Sequence, residues 1–235
     1  MSIAIVTGGA SGIGRAIATS LVARGDTVVV TDIDEGGAKA VADRLNTLGR
    51  GKAASARLDV TDADAVSELY AGVKDEHGRL DRVFNNAGIA VGGLAEELSL
   101  DHWNRAIDIN LKGVIHGVNA AYPIMLKQGN GHIVNTASLA GLVPMPVGIP
   151  YTATKHAVVG LSLGLRAEPP GAASRSASSA PASSTPRCSP TSTPASPRPR
   201  SAATPPATSR RRRRSSTPPR NSPATSCVAS TATRR

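Results

Sequence analysis

Several residue types are missing from the last 67 positions of this 235-residue chain. After Glu168 there is no aromatic residue, no leucine, isoleucine or methionine, no lysine and no acidic residue. Ordering a chain costs roughly 1–2 kcal/mol of backbone entropy per residue, and the burial of apolar side chains is what offsets that cost. We therefore expect residues 1–168 to form the globular domain and residues 169–235 to be a disordered, low-complexity tail.

The positive charge of the chain lies in the same tail. The formal net charge is +10, from 27 lysine and arginine residues against 17 aspartate and glutamate residues. The tail holds 12 of the basic residues, so residues 1–168 carry 15 basic and 17 acidic side chains. The overall charge therefore gives no reason to expect a basic globular domain that binds nucleic acid.

Further absences narrow the class of protein. The two cysteines, Cys188 and Cys227, both lie in the tail, and they form neither a disulfide framework nor a metal-binding spacing. The histidines also lack ligand spacing, so no metal is expected. No apolar run approaches the ~18 residues of a membrane helix. No secretory segment precedes the first glycine loop. We expect a cytoplasmic protein without a membrane partner.

Residues 1–168 alternate between strand and helix patterns. Short β-branched or apolar runs are typical of buried parallel strands, and apolar residues every three or four positions are typical of helices. The patterns predict strands at 2–6, 27–31, 53–58, 82–85 and 131–137, and helices at about 13–24, 35–48, 62–76, 101–127 and 151–166. This order predicts an α/β fold, a Rossmann-type doubly wound parallel sheet with helices on both faces, which binds its ligand at the carboxyl ends of the strands.

The first strand pattern ends in the glycine-rich run Thr7-Gly8-Gly9-Ala10-Ser11-Gly12-Ile13-Gly14. Gly8 permits a tight turn, Gly12 lets the backbone approach a phosphate, and Gly14 lets a helix pack closely on the strand. The N–H groups at the start of that helix favour an anion. Asp32 ends the second strand, where a carboxylate could accept both hydroxyls of an adenosine ribose and would repel a 2′-phosphate. A simpler role for Asp32 is the N-cap of the following helix.

Five motifs in this order resemble the short-chain dehydrogenase/reductase family over residues 1–168. They are the Gly8 loop, the segment 85–88 (Asn-Asn-Ala-Gly), Asn110, Ser138, and the pair Tyr151 and Lys155. The resemblance implies hydride transfer between a secondary alcohol or ketone and a nicotinamide cofactor, in a dimer or tetramer of the chain. It implies that the catalytic residues are Asn110, Ser138, Tyr151 and Lys155. It implies that the cofactor-binding residues are Gly8, Ser11, Gly12, Ile13, Gly14, Asp32, Ile33, Asp59, Val60, Asn86, Ala87, Gly88, Tyr151 and Lys155. Asp32 and Ser11 favour NAD over NADP.

The implied catalytic roles agree with the chemistry of the side chains. A phenol with a pKa near ~10 is a poor base at neutral pH, so a tyrosine base needs a positive neighbour. Lys155 follows Tyr151 by one helical turn and shares its face. Ser138 would donate to the substrate oxygen where charge develops, and Asn110 would hold a water between Lys155 and solvent. Simpler roles stay open: a turn residue for Ser138, a bond to a neighbouring loop for Asn110, and an ordinary helix pair for Tyr151 and Lys155.

The tail allows two interpretations. If its serines have TCN codons, moving the frame back by one base turns Ser174, Ser176, Ser178 and Ser179 into Phe, Leu, Ile or Val codons, a strand pattern of period two where the family has a sixth strand. The tail would then be a frameshifted translation, the fifth strand would be an exposed sheet edge, and this chain would be a dinucleotide-binding protein with weak catalysis. A native tail would instead be a basic arm whose arginine run 210–214 contacts phosphates, although it has no aromatic residues to stack on bases.

Overall fold

The structure is a computed structural model that describes residues 1–168 and 230–234. Its strands are β1 (Ile3–Thr7), β2 (Thr27–Asp32), β3 (Lys52–Arg57), β4 (Arg82–Asn85), β5 (His132–Thr136) and β6 (Ser230–Arg234). Its α-helices are α1 (Gly12–Ala23), α2 (Glu35–Asn46), α3 (Ala63–His77), α4 (Leu100–Ile107), α5 (Gly113–Gln128) and α6 (Ile149–Ala167). Two short 3₁₀ turns, Ala95–Glu97 and Leu139–Gly141, and a π turn, Asp108–Lys112, complete the described elements.

The strands form one sheet in the order β3-β2-β1-β4-β5-β6, in which the first five are parallel. The chain moves outward from β1 to β3 and then returns to the other side of β1 as β4. The carboxyl ends of β1 and β4 therefore flank the point where the winding reverses, and ligands bind at such a point in doubly wound sheets. The predicted fold class is confirmed.

Two apolar layers cover the sheet. Ile5 and Val83 belong to a cluster with α3 and α5, whereas Val6 belongs to a cluster with α1 and α2. Alternate residues of one strand thus enter opposite layers, as the period of two in a strand requires. All five residues of β1 are buried, because β1 is a central strand that is covered on both faces.

The helix predicted at 101–127 is interrupted. The five residues of the π turn stand between α4 and α5, so the chain stays helical but changes its hydrogen-bond spacing. A π turn is the register change that one extra residue produces in an α-helix, and such turns occur frequently at functional sites. Asn110 lies at the middle of this turn and is fully buried.

Residues 230–234 correct one expectation about the tail. They form β6, which pairs antiparallel with β5, with Thr233 opposite Ile133. In the described residues β5 is therefore not the exposed sheet edge that the sequence predicted. The unpaired N–H and C=O groups of an edge strand can pair with any extended segment, and the two threonines of β6 have strand propensity. Residues 169–229 and 235, which include the arginine run and all of the proposed frameshifted segment except β6, lie outside the described residues.

No helix of the described residues combines the length and the apolarity that crossing a membrane requires.

Candidate functional site

A cleft of about 600 Å³ opens at the carboxyl ends of the parallel strands. Of the predicted cofactor residues, it is lined by Gly8, Ser11, Gly12, Ile13, Asp32, Ile33, Asp59, Val60, Asn86, Ala87, Gly88, Tyr151 and Lys155. The structure adds Leu58, Ile89, Ala90, Arg105, Ile109 and Thr136 to this lining. Of the predicted residues, Gly14, Asn110 and Ser138 do not line the cleft.

The glycine loop has a backbone that few other residues could adopt. Gly8 and Gly12 have positive φ angles of 64° and 51°, a region that is open to glycine at little cost. A Cβ on Gly14 would overlap the carbonyl oxygen of Gly8, so Gly14 allows the close packing of α1 on the loop. The N-cap Ser11 makes no side-chain cap bond, and the first turn of α1 has no acidic residue. The N–H groups of that turn are therefore available to an anion such as a pyrophosphate.

Asp32 lies at the end of the cleft nearest β2 and α2. One carboxylate oxygen of Asp32 accepts from the N–H of Ala10 at 3.0 Å and the other accepts from the N–H of Asp34 at 3.1 Å. The N-cap of α2 is Asp34, which accepts from the N–H of Gly37 at 2.9 Å. The simpler role of Asp32 as that N-cap is therefore wrong. Asp32 instead presents a carboxylate, held by two backbone donors, beside the exposed Ile33.

Asp59 and Val60 form the wall that follows β3. Asp59 accepts from the N–H of Thr61 at 2.9 Å and from its hydroxyl at 2.8 Å. The backbone N–H of Thr61, followed by its hydroxyl, lowers the pKa of Asp59. The carbonyl of Val60 contacts Nδ1 of His116 at 2.9 Å, and a Cβ on Gly113 would lie 2.8 Å from the Val60 side chain. These contacts fix the wall against the start of α5.

Asn86 joins the carboxyl ends of three strands. Its Nδ2 donates to the carbonyl of Thr7 at 3.0 Å, and its Oδ1 accepts from the hydroxyl of Thr136 at 3.1 Å. The hydroxyl oxygen of Thr7 accepts from the N–H groups of Asn86 and Ala87, both at 3.0 Å. β1, β4 and β5 are thus tied together directly below the cleft.

Lys155 and Tyr151 project from the first turns of α6. Nζ of Lys155 donates to the carbonyl of Thr136 at 2.7 Å and lies 5.6 Å from the centre of the Tyr151 ring. Only 4% of Lys155 is exposed, and this burial lowers its pKa to about 8. A lysine with that pKa is still mostly charged at neutral pH, so the site holds a positive charge beside the phenol.

Asn110 lies one layer behind the cleft. Its Oδ1 accepts from the N–H of Ile89 at 2.8 Å, and its Nδ2 donates to the carbonyl of Ile89 at 2.9 Å. A Cβ on Gly88 would be 3.0 Å from Oδ1 of Asn110 and 3.8 Å from Nζ of Lys155. The bond to a neighbouring loop, which was the simpler role for Asn110, is therefore present, and it fixes the backbone beside Lys155.

Ser138 is half-buried at the start of the 3₁₀ turn Leu139–Gly141. Its Oγ accepts from the N–H of Ala140 at 3.2 Å. This is the turn role that was the simpler alternative. Among the described residues, the Ser138 hydroxyl donates no hydrogen bond. A Cβ on Gly141 would lie 2.7 Å from the carbonyl oxygen of Lys155, so the turn is packed against the backbone of α6.

Six residues of the cleft lining were not predicted from the sequence. Leu58, Ile89 and Ala90 continue segments that were predicted, whereas the other three come from β5, α4 and the π turn. Thr136 ends β5, two residues before Ser138, and the rule that parallel strands end at one edge of the sheet could have identified it. Arg105 and Ile109 line the cleft from α4 and the π turn. No motif marks these two residues, because their place depends on how α4 packs.

A family model described as short chain dehydrogenase matches residues 2–172. The solved structure of a short chain dehydrogenase/reductase from Burkholderia phymatum in complex with NAD is similar, with a TM-score of 0.68 and 39% identity, over 70% of this chain and 59% of that one. A cyclohexanol dehydrogenase from Acinetobacter sp. is 40% identical over 162 residues, which are 68% of this chain and 64% of that protein. A D-threitol dehydrogenase from Mycolicibacterium smegmatis is 41% identical over 166 residues, which are 71% of this chain and 64% of that protein. The chain thus spans less than two thirds of the length of each of these three relatives.

Proposed function

The chain belongs to the short-chain dehydrogenase family, and from this premise we propose that it oxidises secondary alcohols, or reduces the corresponding ketones, with NAD. The family consists of oxidoreductases that use a nicotinamide dinucleotide and act on small molecules. One observation carries the finer proposal. The buried ammonium of Lys155 lies 5.6 Å from the ring of Tyr151 in a cleft that also contains the carboxylate of Asp32.

The cleft fits a dinucleotide. Gly8 and Gly12 have the backbone that a pyrophosphate requires, and the uncapped start of α1 offers N–H donors to it. Asp32 would accept the hydroxyls of the adenosine ribose and repel a 2′-phosphate, which supports NAD over NADP. When bound, the nicotinamide supplies the acceptor or the donor of the hydride.

Tyr151 would move the proton. In the oxidation, Tyr151 acts as a phenolate, which the charge of Lys155 stabilises, and its oxygen takes the proton of the substrate hydroxyl and becomes a phenol. In the reduction, Tyr151 returns that proton to the carbonyl oxygen. The free hydroxyl hydrogen of Ser138 would donate to the same substrate oxygen while negative charge develops on it. Asn110 acts as a positioning residue that holds the backbone of Ile89.

Tyr151→Phe tests the proton transfer. General acid–base catalysis contributes typically 10²–10⁴-fold, so we expect kcat for a secondary alcohol to fall by at least about 100-fold. The affinity for NAD, measured by calorimetry, should change little, because the phenylalanine ring keeps the shape of the site. A variant that retains most of its turnover would refute the role of Tyr151.

Asp32→Ser tests the choice of cofactor. Removing the carboxylate should weaken NAD binding and strengthen NADP binding, so the ratio of the two dissociation constants should shift toward NADP by about tenfold or more. Asp34→Ser is the matched control, because Asp34 caps α2 and does not line the cleft. An unchanged ratio in the Asp32 variant would contradict the proposed role.

A second candidate function is dinucleotide binding with little catalysis. Two observations favour it. The family match ends at residue 172, and the match to the relatives covers less than two thirds of their length. In this interpretation residues 169–235 are a frameshifted translation, and the gene with the frame restored encodes the active, homo-oligomeric enzyme. Sequencing the gene across codon 169, and comparing the turnover of the two products, decides between the candidates. Full turnover by the 235-residue chain would reject the second one.

A further inference from the structure

An apolar run connects the two residues proposed to contact the substrate oxygen. Between Ser138 and Tyr151 six large apolar side chains are 43–58% exposed, and residues 137–154 contain no charged residue. The six are Leu139, Leu142, Val143, Met145, Val147 and Ile149. We call residues 139–149 the apolar loop. Exposed apolar side chains that form a large patch mark interaction sites or ligand-binding grooves.

The segment that follows β4 faces this loop. The N–H of Gly93 donates to the carbonyl of Val147 at 3.1 Å. A Cβ on Gly148 would lie 3.8 Å from the carbonyl oxygen of Val91. Residues 89–94 have no charged side chain, and Ile89 and Ala90 already line the cleft. The apolar loop and residues 89–94 therefore form one continuous apolar wall that begins at the cleft.

Val147 has a backbone conformation that supports a binding role for this wall. Its φ is +61°, and among the described residues it is the only non-glycine residue with a positive φ. This region is unfavourable for a β-branched side chain, and residues held in it cluster at active sites and ligand clamps. The bond from Gly93 holds this strained residue in place.

We propose that this wall binds the body of the substrate, and that the substrate is a secondary alcohol or ketone with an alkyl or alicyclic body rather than a polyol or a charged molecule. The inference rests on the proposed function, because the wall is useful only if the reacting carbon lies at Tyr151. The additional hydroxyls of a polyol would lose their water without gaining partners on such a wall. A charged substrate body would find no counter-ion on the wall itself, because residues 89–94 and 137–154 contain no charged side chain; the cations Arg105 and Lys155 line the cleft and are not part of the wall.

The test measures binding without turnover. A ketone cannot react with oxidised cofactor, so calorimetry of the full chain saturated with NAD gives the affinity for 2-butanone, 2-hexanone and 2-octanone directly. Each methylene that the wall buries should lower the dissociation constant by about fourfold. Dihydroxyacetone and erythrulose should bind no better than 2-butanone.

Two variants locate the binding surface. Leu142→Asp and Met145→Asp should each weaken 2-octanone binding by about tenfold or more while the affinity for NAD stays unchanged. Leu48→Asp is the matched control, because Leu48 is a similarly exposed leucine just beyond α2. It should leave both affinities unchanged.

The outcomes separate the two proposals. A flat ketone series, a preference for erythrulose, or no effect of either variant would overturn the apolar substrate. Failure to bind NAD would contradict the proposed function instead. In that case the same ketone series, measured on the free chain, would still support or overturn the apolar wall.

Discussion

Replacing Lys155 by methionine should stabilise the fold at neutral pH, and this gain should disappear in alkaline solution. Burial lowers the pKa of Lys155 from 10.5 to about 8. One pKa unit corresponds to about 1.4 kcal/mol, so the charged lysine costs the folded state about 3 kcal/mol relative to the unfolded chain. Methionine keeps most of the volume and the apolar stem and carries no charge. The lost bond to the carbonyl of Thr136, 2.7 Å long, offsets about 1 kcal/mol of the gain.

The sign of the pH dependence follows from proton binding. Below pH 8 Lys155 of the unsubstituted protein is protonated in both the folded and the unfolded state, so the folded state bears the full cost of the buried charge. Between pH 8 and 10.5 the unfolded chain binds more protons than the folded one, and the stability contributed by this group therefore rises with pH. Above pH 10.5 the cost is gone. The stability advantage of Lys155→Met should therefore shrink by about 3 kcal/mol across this window.

Urea unfolding at closely spaced values between pH 7 and 10.5, followed by circular dichroism, measures both curves. Lys112→Met serves as the control. Lys112 is 57% exposed in its side chain and pairs with Asp108 at 2.8 Å, and exposed pairs of this kind contribute ~0.2–1 kcal/mol. The free energy of unfolding of Lys112→Met should differ from that of the native protein by a small and nearly constant amount between pH 7 and 10.5. If the curves for the native protein and for Lys155→Met remain parallel from pH 7 to 10.5, the buried charge does not cost what the structure indicates.

The remaining predictions concern the hydrogen-bonded side chains of Asn85, Asn135 and Ser162 and the helices that pack against them. Gly117→Ala should lower the free energy of unfolding by about 1–3 kcal/mol, because a Cβ there would overlap the amide of Asn85. Gly72→Ala should raise it by about 0.5–1 kcal/mol, because α3 has open space at that position. Similar melting temperatures for these two variants would refute the close contact. Asn135→Ala and Ser162→Ala should each cost about 1–3 kcal/mol, because Asn135 Nδ2 donates to Ser162 Oγ at 3.0 Å. The double variant should cost about 0.5–3 kcal/mol less than the sum, and strict additivity in urea unfolding would show that the two side chains are not coupled.

The first five strands could be predicted closely because their signals are local. The run Thr27–Thr31 is β-branched or apolar throughout, and glycine or aspartate stands at its ends, so the predicted and observed bounds of β2 differ by one residue. The Gly8 loop was equally clear, since its spacing encodes a turn and the start of a helix. The cleft residues at strand ends followed from the parallel topology, which places those ends at one edge of the sheet.

The neighbouring asparagines Asn85 and Asn86 have different roles, which local sequence patterns do not predict. Successive side chains of a strand point to opposite faces, and only Asn86 faces the cleft. Asn85 is buried below it and donates to Asn135 at 2.9 Å, while it accepts from the hydroxyl of Tyr70 at 3.3 Å. These partners are 50 and 15 residues away. The contact with Asn135 depends on the register between β4 and β5, which pairs Asn85 with Asn135, and the contact with Tyr70 depends on how α3 packs on the sheet. No local pattern contains either of these.

The contacts of Asn110 in the site also depend on tertiary packing. The motif marked this residue but not the way in which it acts, because its amide faces the backbone of Ile89 and not the cleft. The segment that begins at Ile89 is then held a second time, where Gly93 bonds to the strained Val147. One wall of the cleft is therefore fixed at both ends, by a buried side chain in the π turn and by a backbone bond to the apolar loop. A shift in the π turn would move this wall directly, whereas Lys155 is held separately by Thr136. The geometry thus separates the wall that we propose to orient the substrate from the residues that we propose to move the proton.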